Sequence, residues 1–406
     1  MTHEREQEGG EGALAGIKVI DCTRVLGGPY CTQILADHGA EVIKIEPPQG
    51  DEVRDWGPPF KDGLSAYFSG VNRNKRSISL DLTSERGRVV LLQLLAGADI
   101  LIENYKAGTL ESWNIGYETV LSAQFPGLVY CRITGFGADG PLGGLPGYDA
   151  AVQAWAGLIS INGSEKSGAM RLGIPIVDLG TGLYAAFGIL AALQERSRSG
   201  RGQMVEATLF DCGFALQHPH AANFFMSGDP PRLTGNAHPN ISPYDLFSTR
   251  GRPLFLAVGN DRQFQRACAI LGKPVLAEDE RFRHNADRLR HRVALTGEIQ
   301  ALVLDLDGET IATELVEAGV PAGAALGMAD VAAHAHTRHR DMVVEKDGYT
   351  GTGIPLKMSR TPGTVRSGPP LFGADGRDVL AEAGFSDDEI GRLVADGVLV
   401  DERRKP

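Results

Sequence analysis

Asp178 stands between an apolar run, Ile174 to Val177, and a turn of glycine and threonine, Gly180 to Gly182. Beyond the turn, Leu183, Phe187 and Leu190 recur at helical spacing. The pattern predicts a strand that delivers one carboxylate to a strand-to-helix junction. Free backbone amides at a helix start favour an ionised acid, and an ionised carboxylate can attack an acyl carbon. Gly180 and Gly182 leave room around it. Taken by itself, the segment suits a helix-capping aspartate as well. A second suggestive tract is NRNKRSISLDL, 72–82. There Arg73, Lys75 and Arg76 fall within four residues at the entry to a strand, where they could converge on phosphates or form a solvated basic loop.

Three other chemistries fail on their surroundings. GFGADG, 135–140, has the spacing of a dinucleotide-binding loop and follows a predicted strand. PLGGLPG comes next, and its prolines cannot open the helix that would hold a pyrophosphate. The histidine tracts 218–220 and 334–339 come with neither an HExxH helix nor an ordered carboxylate set, so no metal site is expected. No GxSxG elbow occurs, and none of the five cysteines carries a nucleophile motif.

The elements that must position Asp178 are legible as alternation. GIKVID (16–21) and AEVIKIE (40–46) flank a helix starting near Pro29, a β-α-β unit. Extended segments follow at 76–82, 98–105, 128–136 and 203–210. An amphipathic helix spans 84–98 with Ser84 as its cap, and another spans 180–196. Strands alternating with helices imply an α/β fold with a doubly wound, mostly parallel sheet. From about Phe224 the texture changes. A Gly-, Pro- and Asn-rich loop (227–243) leads to a hairpin-like pair (245–259), helical sequence to about Gly319, strands within 341–359 and a closing helix pair. The expected partition is a disordered lead-in 1–15, a large domain 16–224, a smaller α+β domain 225–330, and a return to the large domain over 331–406.

At 406 residues the chain can bury a large core. Its net charge of −11 argues against a nucleic-acid partner. No apolar run reaches the roughly 18 residues of a membrane span, and the acidic start is unlike a signal peptide. Five scattered cysteines without a CxxC pair suit reduced core residues of a cytoplasmic protein.

Several segments together resemble the class III CoA-transferases, the formyl-CoA and carnitine CoA-transferase family. They are VLGGPYCTQILADHGAEVIKIEPP, NRNKRSISLDL, IENYKAG, GYDAAVQAWAGL, PIVDLGTGLYAAFGILAAL and DDEIGRLVADGVL, in order along nearly the whole chain. TGNAHPNISPYDLFST, with HPHAANFF before it, brings the succinate–hydroxymethylglutarate type nearest. The resemblance implies Asp178 as catalytic aspartate, attacking an acyl-CoA thioester and passing through an aspartyl-CoA thioester. It places Leu26, Lys75, Arg76, Leu80, Asn104, Tyr105 and Lys106 at the CoA site, and Tyr148, Asp149, Asn236 and His238 along the active site. It also implies an interlinked homodimer, an acyl-CoA donor, a carboxylate acceptor and no permanent cofactor, the CoA thioester arriving as substrate. Two basic positions that meet CoA phosphates in formyl-CoA transferase are Ser112 and Pro146 here. That enzyme's glycine loop is replaced by Gly235 to Pro239. In the longer loop Gly235 to Tyr244, Asn236, Asn240, a charged His238 and Tyr244 would suit a dicarboxylate such as succinate. Two alternatives stay open: an α-methylacyl-CoA racemase, although Tyr148 stands where family racemases have His, and a catalytically silent CoA-binding protein.

Overall fold

The computed structural model describes residues 12–403. Of the expected lead-in, residues 1–11 lie outside the described residues. Gly12 to Ala15 do not continue it: they form a turn whose Leu14 N–H donates to the His38 carbonyl at 2.9 Å.

The chain divides into two compact units. The first holds the sequence up to Ala156, Gly173–Leu216 and the stretch from Arg338 onward, and the second holds Gly157–Leu172 and Gln217–Thr337. Residues 157–172, expected in the large domain, join the second unit. There the Gly235 N–H donates to the Gly163 carbonyl at 2.7 Å, tying the 163–169 hairpin to the long loop.

In the first unit six strands form one parallel sheet. They are β1 (Lys18–Cys22), β2 (Glu41–Glu46), β3 (Lys75–Ser79), β4 (Ile100–Glu103), β5 (Val129–Thr134) and β6 (Met204–Thr208), in the spatial order β6-β5-β4-β1-β2-β3. The interior strands are buried along almost their whole length, as expected of parallel strands covered on both faces. Helix α1 (Gly27–Asp37) makes the β1-to-β2 crossover, and α2 (Glu85–Leu95) is capped by Ser84, whose hydroxyl accepts from the Gly87 N–H. The strand order reverses between β1 and β4. In a doubly wound sheet the crevice beyond that reversal is where ligands bind.

Two further helices complete the site's frame: α3 (Asp149–Trp155) and α4 (Ile176–Ser199). Here the structure differs from the expected strand at 174–177. Only Ile174 and Pro175 precede the helix, and Asp178 sits within its first turn. α4 is long and apolar enough to cross a membrane by composition. In this unit its Val177, Ala185 and Ile189 are fully enclosed.

The second unit has an antiparallel sheet of β7 (Tyr244–Phe247), β8 (Leu254–Ala257) and β9 (Ala322–Ala324), with helices Asp261–Ile270, Arg292–Val303 and Gly308–Glu317. Phe247, Leu256, Phe264, Phe282 and Leu295 make its core.

Candidate functional site

A cavity of about 340 Å³ opens beyond the carboxyl ends of β1, β4 and β5, at the sheet's reversal point. The turn after β1 supplies Arg24 to Gly28, and the turn after β4 supplies Asn104 to Ala107. Gly144 to Tyr148, Glu52 and Asp178 complete much of the wall.

The first turn is held from behind by buried charge. Asp21 accepts from the Thr23 N–H at 2.9 Å and from the Thr32 hydroxyl at 2.6 Å. Lys44 Nζ donates to the Thr23 carbonyl at 2.7 Å and to Asp51 at 3.0 Å. Asp51 in turn accepts from the Val25 N–H at 3.2 Å. Burial opposes the charge on Lys44, but Asp51, Asp21 and Glu46 outweigh it and hold the ammonium above the usual lysine range. This frame keeps Val25 at φ +70°, a conformation that β-branched residues rarely adopt. From the other side Asn104 clamps Arg24: its Oδ1 accepts from the Arg24 N–H at 2.9 Å, and its Nδ2 donates to the Arg24 carbonyl at 2.8 Å. The turn ends at the N-terminus of α1, where Gly27 and Gly28 have amides without helical partners.

Asp178 meets this N-terminus. A side chain at Gly27 would lie 3.2 Å from the Asp178 carbonyl and 3.6 Å from its Oδ1. Gly182 permits the approach of α4, since a Cβ there would come within 2.6 Å of the Gly27 carbonyl. So Gly182 makes room for a neighbouring helix rather than for the acid, and Gly180 does the same for Leu216. The Oδ2 of Asp149, from α3, accepts from the Val177 N–H at 2.8 Å and from the Asp178 N–H at 3.1 Å, closing the start of α4.

The Asp178 carboxyl is half-buried. Burial, and then the neighbouring Asp149, push it up to about 7. The sequence led to an acid fully ionised at neutral pH; the structure places it near half-ionisation there. The Gly180 amide lies inside α4 and is spent on the helix.

Of the other residues singled out, Leu26, Asn104, Tyr105, Lys106 and Tyr148 line the same cavity. Tyr148 donates to Glu52 at 3.3 Å. Burial and Glu52 hold its hydroxyl above the usual tyrosine range, so it is a poor base at neutral pH. The basic tract does not converge on a phosphate. Lys75, the first residue of β3, is buried, and its Nζ meets Asp21 at 3.2 Å, the Pro29 carbonyl and Asn72. Its desolvation lowers it to about 8. Arg73 is bound to Asp37 and Arg76 to Glu382, while Leu80 is in the core. The buried charges of Arg73 and Lys75 are spent on buried acids, as an enclosed cation requires, while Arg76 is spent on Glu382 at the surface. Asp149 shapes the helix start from behind.

Asn236 and His238 lie in the second unit. His238 Nδ1 accepts from the Asn240 N–H at 3.0 Å, and its ring packs on Tyr244 at 5.1 Å. Burial, then Arg292 and two histidines, lower its basicity, so the positive charge expected of it is disfavoured. Asn240 pairs with Asn223 at 2.9 Å, and Asn236 is exposed.

Arg24, Glu52, Lys44 and Asp51 escaped the sequence reading. A usable signal was present for one of them: Lys44 alternates with apolar residues in a strand predicted to be buried on both faces, where a lone cation needs a buried partner.

The model of CoA-transferase family III matches residues 14–376. A succinate–glutarate CoA-transferase of Agrobacterium fabrum is 40% identical, covering 91% of this chain and 95% of its own. The succinyl-CoA:glutarate CoA-transferase of Homo sapiens is 35% identical, covering 95% and 90%. Among solved structures, a CAIB/BAIF family protein from Brucella suis superposes with a TM-score of 0.83 at 39% identity, over 92% of this chain and 100% of that one.

Proposed function

The chain belongs to CoA-transferase family III, and from that premise we propose that it moves CoA between dicarboxylic acids through a covalent intermediate on Asp178. The observation that carries this reading is the Asp178 carboxyl itself. It faces a cavity at the sheet's reversal point, lies beside the N-terminus of α1, and accepts no hydrogen bond from any other described residue.

Ionised Asp178 attacks the thioester carbonyl of the donor. The tetrahedral oxyanion collapses with cleavage of the C–S bond, leaving a mixed anhydride and CoA thiolate. The thiolate then attacks the Asp178 carbonyl carbon, the anhydride C–O bond breaks, and the donor acid departs as its carboxylate. An aspartyl-CoA thioester remains. The acceptor carboxylate attacks it, and the same two steps run in reverse. No proton is gained or lost overall, and no redox partner is required. The unpartnered amides of Gly27 and Gly28 are the donors placed to meet the oxyanions. Leu26, Asn104, Tyr105 and Lys106 form the wall along which CoA would lie.

The dicarboxylate preference draws on the relatives named above, which act on succinate and glutarate or their CoA esters. The racemase alternative needs a base on each face of the α-carbon, and the raised Tyr148 hydroxyl does not serve. Five free, buried cysteines suit a reducing compartment such as the cytoplasm.

The test is covalent trapping. Donor acyl-CoA with hydroxylamine should convert Asp178 to its hydroxamate, read by peptide mass spectrometry, and Asp178→Ala should abolish transfer. Retention of most activity by Asp178→Ala would refute the mechanism.

A further inference from the structure

We propose that Arg24 is the anion anchor of the active-site cavity, binding an oxyanion group of the bound substrate. The inference rests on the transferase reading and extends it to how the substrate is held.

The other enclosed arginines of this unit are committed. Arg54 is paired with Glu46, Arg73 with Asp37, and Arg132 with Glu103 and Glu111. Arg24 differs. Among the described residues its guanidinium meets no carboxylate, and its Nε is shielded from solvent without a hydrogen-bond partner. Its guanidinium carbon lies 5.9 Å from the centroid of the Tyr105 ring, and its charge also reaches the Tyr148 hydroxyl. A shielded guanidinium donor left unpaired is costly, and a planar donor fork matches carboxylates and phosphates.

The backbone beneath it is over-determined. Asn104 grips both the N–H and the carbonyl of Arg24, and Asp51 with Lys44 holds the next residue in a strained conformation. Strain persists where surrounding structure enforces it, and such sites cluster at ligand clamps. The result is a fixed cation in the cavity that also contains Asp178 and Glu52. Those two acids would repel an incoming anion. Lys106, the other cation of the wall, is exposed on a flexible stem.

Two parts of a dicarboxyl-CoA carry suitable oxyanions: the CoA diphosphate and the distal carboxylate of the acyl group. Calorimetric titration of wild type, Arg24→Gln and Arg24→Lys separates them without turnover. The titrants are CoA, pantetheine, glutarate and valerate. Arg24→Gln should weaken binding roughly 10- to 100-fold for CoA with pantetheine spared, or for glutarate with valerate spared. The first pattern assigns the diphosphate and the second the carboxylate. Arg24→Lys should recover part of the loss. Binding of all four within twofold of wild type overturns the proposal. So does an equal loss for all four, which marks a folding effect. A protein that binds through Arg24 yet transfers no CoA would refute the transferase reading alone; a transferase indifferent to Arg24→Gln would refute this one alone.

Discussion

The Oδ2 of Asp149 accepts the Asp178 backbone N–H at 3.1 Å, so one carboxylate builds the helix start that carries the other. The same proximity raises the Asp178 carboxyl, second only to burial. A single neighbour therefore fixes the position of the candidate nucleophile and adds to the effect of burial on its reactivity.

Asp149→Asn separates these two effects. The amide oxygen can still accept from the helix start, while the negative charge is gone. Asp178 needs to be ionised to attack, so transfer should rise with pH through about 7 in the wild type. In Asp149→Asn the acid limb should move to lower pH, by about one unit. A pH profile of kcat/KM for the donor checks this, and a limb that stays in place or moves upward refutes it.

Alternation of strands and helices made the parallel sheet readable from the chain, and Ser84 marked its helix correctly. The prolines after GFGADG rightly excluded a phosphate-binding helix: no helix begins before Asp149 in that stretch. Other features depended on partners distant in sequence. Lys75 looked like a phosphate ligand until Asp21, 54 positions away, claimed it. Ile174 to Val177 looked like a strand because an apolar run of four has no period of its own, and Asp149 settled the matter by capping Val177. Arg24 was silent because what distinguishes it, the absence of a partner, exists only in three dimensions.

The strained turn gives a second prediction. A left-handed conformation costs a residue such as Val about 1–2 kcal/mol, and glycine escapes that cost while adding flexibility to the unfolded chain. Val25→Gly should therefore leave the melting temperature unchanged or slightly higher. Loosening the turn between Arg24 and Gly27 should at the same time lower kcat/KM about tenfold or more. A clear loss of thermal stability would show that Val25 is held there by packing, not by Asp51.

The outer face of α4 yields a third. Leu183, Tyr184, Phe187 and Leu190 are 53%, 47%, 71% and 41% exposed and form one stripe along the helix. A contiguous apolar stripe on a core helix marks an interface. A second copy of this chain is the expected cover, as in the interlinked homodimer implied by the family resemblance. Sedimentation should give a dimer that survives dilution to nanomolar concentration, and Phe187→Asp should give monomer or insoluble protein. A wild-type monomer appearing on dilution contradicts the linked arrangement.

The last prediction concerns the stability cost of the nucleophile. Burial, and then Asp149, raise the Asp178 carboxyl in the folded protein to about 7, well above the ordinary aspartate range of about 4. The unfolded chain therefore releases this proton more readily than the folded one. Below about pH 4 both states hold the proton and the group costs nothing. As pH rises from 4 to 7 the unfolded state is progressively favoured, and above 7 the penalty is complete. Asp178→Asn, nearly identical in shape, removes the titration. The variant should melt higher than wild type at pH 8, by about 1–3 °C, and the difference should shrink as pH falls to 5.5. Such a gain at the expense of activity is the usual mark of a residue kept for chemistry. Equal melting temperatures at pH 8, or a variant less stable than wild type there, would show that Asp178 is an ordinary ionised helix-start acid, and the raised pKa on which the pH profile depends would fall with it.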